Sequence, residues 1–169
     1  MPENVALKAL GENFSIVYRT ESAMSGRSLK LRLVAAQQLE IRGNLEHKKS
    51  VFALLESFFK DYARSYFKEK LDHYSEQYQL PYNRLTVRAQ KTRWGSCSAK
   101  KNINLNYRLL FIDEVLLDYI LVHELVHTVQ MNHSASFWTH LESLMSDARV
   151  RDKQVNQETK NLPCWIFYS

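Results

Sequence analysis

The sequence contains the stretch Leu121-Val122-His123-Glu124-Leu125-Val126-His127-Thr128-Val129-Gln130, a His-Glu-x-x-His pattern within an apolar segment. Residues four apart leave the same face of a helix, so His123 and His127 can both direct ring nitrogens at one metal ion. Glu124 points about 100° further around the helix. A carboxylate there can accept a proton from metal-bound water without becoming a ligand. The stretch therefore predicts a site for one zinc ion with Glu124 as the general base.

His133 is the predicted third ligand, because a catalytic zinc site needs three protein ligands and an open position. If the helix continued, His133 would lie roughly 9 Å beyond His127 along the axis, out of reach of the same ion. The helix must therefore end between them. Asn132 tolerates the left-handed conformation of a helix stop, and Ser134 can cap a second helix over residues 134–149.

Other side chains that can bind metals are weaker candidates. Glu142 and Asp147 lie on the second helix, at distances where a carboxylate ligand is also feasible. His140 is predicted to lie at the surface or behind the ligands. His47 and His73 are isolated in the sequence and are predicted to be solvated.

The rest of the chain predicts an α+β fold, with a small antiparallel sheet packed on helices and the metal-binding helix beneath it. Alternating residues near 14–18, 28–33 and 39–41 indicate an N-terminal β unit over residues 1–45, with a turn at 23–26. Apolar residues at three- and four-residue steps indicate one long helix or two abutting helices over residues 47–80. Asp113 can cap the metal-binding helix, which is predicted to run to about Gln130.

Two further alternating segments, 84–91 and 102–109, are joined by turn-forming residues and predict a β-hairpin. In this pattern Tyr107 falls on the apolar side and Arg108 on the polar side. The hairpin and the two helices after it define a metal-binding core over residues 84–150. The last ten residues are too apolar to extend into water and are predicted to pack on a single domain spanning residues 1–169.

Composition is ordinary for a globular protein, with 45% hydrophobic and 24% charged residues among 169. No secretory signal and no membrane-spanning apolar run is evident, so we expect a cytoplasmic protein with reduced cysteines at 97 and 164. The charge is uneven, because residues 61–112 carry 10 basic and 4 acidic side chains. A basic face can attract nucleic acid, although a solvated surface explains the same pattern.

Several motifs resemble the YgjP-like metallopeptidases, a family of small zincins described as predicted metal-dependent hydrolases. The resemblance covers roughly residues 84–140 and rests on Thr92-Arg93-Trp94-Gly95-Ser96-Cys97, Ile103-Asn104-Leu105-Asn106, the segment 119–127, Asn132-His133-Ser134 and Phe137-Trp138. It implies a zincin-like α+β metallopeptidase domain, zinc bound by three histidines, and Glu124 as base. The sequence is more distantly similar to SprT-like and Wss1-like proteases that act on protein crosslinked to DNA. Gln130 stands where metzincins have glycine, which argues against that class.

The resemblance also implies a peptide or protein substrate. In zincins the substrate usually extends along an edge strand, and the 102–109 strand is the predicted edge. The candidate substrate-binding residues are Arg93, Asn106 and Tyr107, although all three can equally be turn and sheet residues. Two alternatives to a peptidase remain open: a nucleic-acid-associated protein that uses the basic 84–108 hairpin, and a zinc-binding scaffold without turnover.

Overall fold

The computed structural model describes residues 1–20 and 29–168, and this part of the chain has an α+β architecture as predicted. Its strands and helices are β1 (Asn4–Leu7), β2 (Glu12–Thr20), β3 (Leu29–Ala35), β4 (Gln38–Gly43), α1 (Lys48–Gln77), β5 (Arg84–Arg88), β6 (Gly95–Cys97), β7 (Asn102–Asn106), α2 (Glu114–Val126), α3 (Ala135–Leu144) and α4 (Ala148–Glu158). Short 3-10 helices cover Lys8–Leu10, Tyr107–Phe111, Thr159–Asn161 and Cys164–Phe167. The turn predicted at 23–26 lies outside the described residues. No helix among the described residues combines the length and the apolarity needed to cross a membrane.

The N-terminal sheet has the strand order β1-β2-β4-β3. Its outer pairs are antiparallel, but β2 and β4 run parallel, with Ile16 opposite Leu39 and Tyr18 opposite Ile41. The prediction of a purely antiparallel β unit was therefore wrong. Alternation of apolar and polar residues has the same period in both kinds of sheet, so it identifies a strand without giving its direction.

Helix α1 is one continuous helix of 30 residues. It buries a stripe at four-residue steps on the face that packs against the rest of the molecule: Val51, Leu55, Phe59, Ala63, Phe67 and Leu71. The helix ends before Pro81, where Gln79 adopts a left-handed conformation with φ 54° and Leu80 N donates to Ser75 O. This buried stripe is part of the hydrophobic core.

The second sheet has the order β5-β7-β6, and it corrects the predicted hairpin. Strands β5 and β7 are parallel, whereas the short β6 pairs antiparallel with β7. Strand β7 is therefore central and β6 lies at the edge, so the prediction that 102–109 forms the edge was wrong. The side chain of Asn106 stabilises the segment that connects β5 to β6, because its Nδ2 donates to Gln90 O and Arg93 O.

Helix α2 is buried on almost every side, and it contacts α1, β6, α3 and α4. The single helix predicted over 134–149 is in fact two, because Met145 takes an extended conformation (φ −139, ψ 97) between α3 and α4. The C-terminal residues pack on the domain as predicted. Trp165 is 7% exposed and its ring contacts those of Phe59 and Phe111.

Candidate metal centre

Three histidine rings converge at the end of α2. The Nε2 atoms of His123, His127 and His133 lie 3.1, 3.1 and 3.0 Å apart in the three pairings. Nitrogen ligands at about 2.0–2.1 Å from a tetrahedral ion lie roughly 3.3 Å from one another, so this triangle has the size of a three-histidine site. Among the described residues, these three are the group of histidine, cysteine or acidic side chains placed to hold a metal.

The other ring nitrogens of His123 and His127 are committed to protein partners. His127 Nδ1 lies 2.8 Å from Gln130 O, an acceptor, so Nδ1 must carry the proton. His123 Nδ1 lies 3.1 Å from the Tyr119 hydroxyl, which donates to Asp152 Oδ1 at 2.8 Å and therefore accepts from the imidazole. Both Nε2 atoms then present lone pairs to each other. Lone pairs this close repel unless a cation lies among them, so the donor set fits a metal ion.

Burial keeps these imidazoles neutral. It lowers the pKa of His123 to about 3, with a further contribution from the neighbouring histidines, and it also lowers the pKa of His127. A neutral imidazole is the form that binds a metal. His133, by contrast, is exposed, so the group of histidines opens to solvent on that side.

The turn after α2 brings His133 back to the other two ligands. The helix ends at Val126, and Gln130 N donates to Val126 O as the chain turns. The helix does end before His133, but it ends at Val126 and not near Gln130 as predicted. Asn132 is also not among the residues with positive φ in the described chain, so both details were wrong. Ser134 caps α3 as predicted, accepting from the backbone N–H of Phe137.

The Phe137 ring packs beneath all three imidazoles, with centroid distances of 4.6 to 4.9 Å. Because this ring is fully buried, it fixes the orientation of the histidines from the α3 side. Phe137 thus packs against the histidines and holds them in place.

Glu124 lies beside the histidines and is buried, with 4% of its surface exposed. Its Oε2 has no hydrogen-bond partner, and burial raises its pKa to about 8. Gly95 of β6 packs directly against it: a Cβ atom on Gly95 would lie 2.5 Å from Glu124 Oε1. A carboxylate buried without a partner is costly, and a nearby cation would offset that cost.

Comparison with known proteins agrees with this geometry. The family model described as "YgjP-like, metallopeptidase domain" matches residues 2–158. This chain belongs to the YgjP-like metallopeptidase family. It is therefore a metal-dependent hydrolase that acts on peptides or proteins, as the motifs indicated.

One solved structure similar to this YgjP-like metallopeptidase is the metallopeptidase zymogen of Pyrococcus abyssi abylysin. The two are 26% identical, with a TM-score of 0.49, and the match covers 56% of this chain and 93% of that one. No curated protein matches the chain.

Sequence reasoning missed the residues that support the ligands in this metallopeptidase. Tyr119 precedes His123 by one helical turn, so its spacing was a usable signal. Asp152 lies on α4, 33 residues from Tyr119, and nothing in the local pattern connects the two. The sequence identified Gly95 only as part of a family motif. Its contact with Glu124 depends on how β6 packs on α2.

The three candidate substrate-binding residues are not brought together at the histidines. Tyr107 is fully buried and its ring packs against Phe111. The Asn106 side chain is occupied by backbone groups, and Arg93 is exposed on a cavity that none of the histidines lines. The alternative ligands are engaged elsewhere, because Glu142 pairs with Arg149 and Asp147 with Arg151.

Proposed function

We propose that the metal is zinc, that His123, His127 and His133 bind it through Nε2, and that Glu124 is the general base of peptide hydrolysis. The observation that carries the proposal is the triangle of Nε2 atoms about 3 Å apart, two of which have their Nδ1 protons committed to acceptors. Three imidazoles that open to solvent on one side leave room for a water molecule and a substrate carbonyl.

The ligand type favours zinc over harder cations. Magnesium and calcium prefer oxygen ligands in larger numbers, whereas three neutral imidazoles suit zinc and other late transition metals. Both cysteines lie outside the group of histidines and are free thiols. A sulfur-rich structural site is therefore not supported, and three imidazoles with an open side are typical of catalytic zinc.

Glu124 has the position and the environment of a proton acceptor. When bound, zinc lowers the pKa of a coordinated water and polarises the substrate carbonyl. Glu124 takes the proton from the attacking water on a carboxylate oxygen and delivers it to the leaving amine. Its burial makes the carboxylate a stronger base than a solvated one, and the contact with Gly95 restricts where that carboxylate can lie.

We propose that the substrate backbone binds along the edge strand β6. It pairs with β7 on one side only within the described sheet, and it contacts α2 next to Glu124. An extended peptide can add to such an edge through main-chain hydrogen bonds. This strand replaces the 102–109 segment that the sequence pattern indicated.

Metal analysis tests the ligand assignment. We expect the purified protein to retain one zinc ion at neutral pH and to cleave a peptide library, with activity lost on chelation and restored by zinc. His133→Ala should lose stoichiometric zinc and peptide cleavage. His140→Ala is the matched control, since His140 lies on α3 outside the group of ligands.

Two results would contradict the proposal. One is a wild-type protein without stoichiometric zinc after exposure to the ion. The other is a His133→Ala variant that retains as much zinc as wild type, which would remove His133 from the ligand set.

A further inference from the structure

Arg108 is a buried cation with no carboxylate partner among the described residues. It is 6% exposed, and its guanidinium donates to two backbone carbonyls, Nη1 to Gln90 O at 2.8 Å and Nη2 to Ile166 O at 2.9 Å. Its Nε is buried and has no hydrogen-bond partner. Two neutral carbonyls satisfy donors but form no salt bridge with the guanidinium, and a buried charge without a salt bridge is costly.

Aromatic rings hold the guanidinium in a fixed orientation. Its central carbon lies 4.8 Å from the centroid of the Phe167 ring and 6.0 Å from that of Tyr107. Such contacts stabilise a cation without neutralising it. Because the carbonyls and the rings together fix the group, Arg108 is pre-organised for a partner that approaches it.

A cavity of about 190 Å³ lies against this guanidinium. Two more cations, Lys91 and Arg93, line it together with the hydroxyl-bearing Thr92 and Thr159, and none of the described residues that line it is acidic. A role in holding the C-terminal segment explains the two hydrogen bonds of Arg108. It does not explain why two further cations surround the same cavity with no acid among them.

We propose that this cavity is a binding site for an oxyanion, a carboxylate or a phosphate group. The three cations supply the charge that such a group requires, and guanidinium and ammonium groups are the usual partners of both oxyanions. The volume accommodates a phosphate with a few additional atoms. Thr159 and Phe167 lie beyond residue 158, where the match to the family model ends, so one wall of the cavity is outside that region.

The site borders the metal centre through one short segment. Trp94 lines the cavity, and the next residue, Gly95, packs against Glu124. Anion binding itself does not depend on hydrolysis, so its test can fail or succeed independently of the proposed zinc chemistry.

The test is calorimetric titration of the full chain with inorganic phosphate and, separately, with succinate, at an ionic strength held constant with chloride. We expect saturable binding of at least one of the two. The double variant Lys91→Ala/Arg93→Ala should weaken that binding by about tenfold or more, since two of three cations are lost. Both residues are exposed, so the variant should fold, which circular dichroism would verify.

The matched control is Arg84→Ala/Arg88→Ala, which removes the same charge from exposed positions of β5 that do not line the cavity. We expect less than a twofold change in this variant. Equal weakening in the two double variants would indicate general surface attraction and overturn the proposal. Absence of saturable binding of either anion to wild type would overturn it as well. The ratio of phosphate to succinate affinity assigns the oxyanion.

Discussion

Two buried ionisable groups, Glu124 and Arg108, have no salt-bridge partner among the described residues. Each is more than nine-tenths buried, and each has one atom without a hydrogen-bond partner, Oε2 in the first and Nε in the second. Glu124 lies next to the imidazoles of His123, His127 and His133, whereas Arg108 lies next to two further cations and a cavity. The same imbalance therefore points to a bound cation in one place and a bound anion in the other.

The two groups also differ in how they can respond to burial. A carboxylic acid can take up a proton, and burial raises the pKa of Glu124 to about 8, so this group can exchange protons near neutral pH. Arginine keeps its proton under all ordinary conditions, so Arg108 can be neutralised only by a partner. Under the two proposals, Glu124 transfers protons at the metal centre and Arg108 contributes positive charge for anion binding at the cavity.

The largest expected effect tests whether Glu124 works as a base. Glu124→Gln preserves the shape of the side chain and removes its ability to accept a proton, so kcat/KM should fall by about 10²- to 10⁴-fold. Zinc content, measured by mass spectrometry, should remain equal to that of wild type. Glu142→Gln, a carboxylate on α3 paired with Arg149, is the control. Unchanged cleavage in Glu124→Gln would show that Glu124 is not the general base.

The next effect tests how strictly Glu124 is positioned. In Gly95→Ala the new Cβ would lie 2.5 Å from Glu124 Oε1, so the carboxylate must move. Displacement of a catalytic group by about 1 Å costs roughly 100-fold in rate, and zinc content should not change. Ser96→Ala, at the adjacent position of β6, is the control. Wild-type cleavage by Gly95→Ala would show that Glu124 tolerates displacement.

A third effect separates metal affinity from catalysis. Tyr119→Phe removes the hydroxyl that links His123 Nδ1 to Asp152, so zinc affinity should fall by about 10- to 100-fold. Competition with a zinc chelator measures the change. Tyr66→Phe is the control, because Tyr66 loses a hydrogen bond to Ala9 O far from the histidines. Equal zinc affinities in the two variants would remove Tyr119 from the supporting set.

The smallest expected effect concerns Arg108, the buried cation next to the cavity. Arg108→Lys keeps the charge but cannot donate to both Gln90 O and Ile166 O, so the free energy of unfolding should fall by about 1–3 kcal/mol. Chemical denaturation measures it, with exposed Arg88→Lys as the control. Zinc content should be unaffected, which keeps the two centres separate. Loss of zinc in Arg108→Lys would instead show that they form one unit.

The grouping of the three histidines could be predicted from the sequence because it depends on short-range geometry. The spacing of His123 and His127 fixes a shared helix face, and the distance to His133 requires the helix to end, as it does at Val126. The same kind of reasoning located α1 and the cap at Ser134. These features depend on residues within one or two turns of each other.

Features that depend on distant contacts were not predictable in the same way. The predicted antiparallel pairing was wrong for β2–β4 and β5–β7, because alternation of apolar and polar residues does not depend on strand direction. Arg108 was placed on a polar strand face, but the chain leaves the strand after Asn106 and enters a 3-10 helix, so the side chain turns inward. The break at Met145 has no glycine or proline to mark it.

The hydrogen bonds from Asp152 through Tyr119 to His123 join α4 to a proposed metal ligand. Occupancy of the metal centre and the docking of α4 are therefore thermodynamically linked. If docking of α4 increases the affinity of the site for the ion by some factor, then the bound ion must increase the equilibrium constant for docking of α4 by the same factor. Depleting the ion should then increase hydrogen exchange along α4, a helix that supplies no ligand.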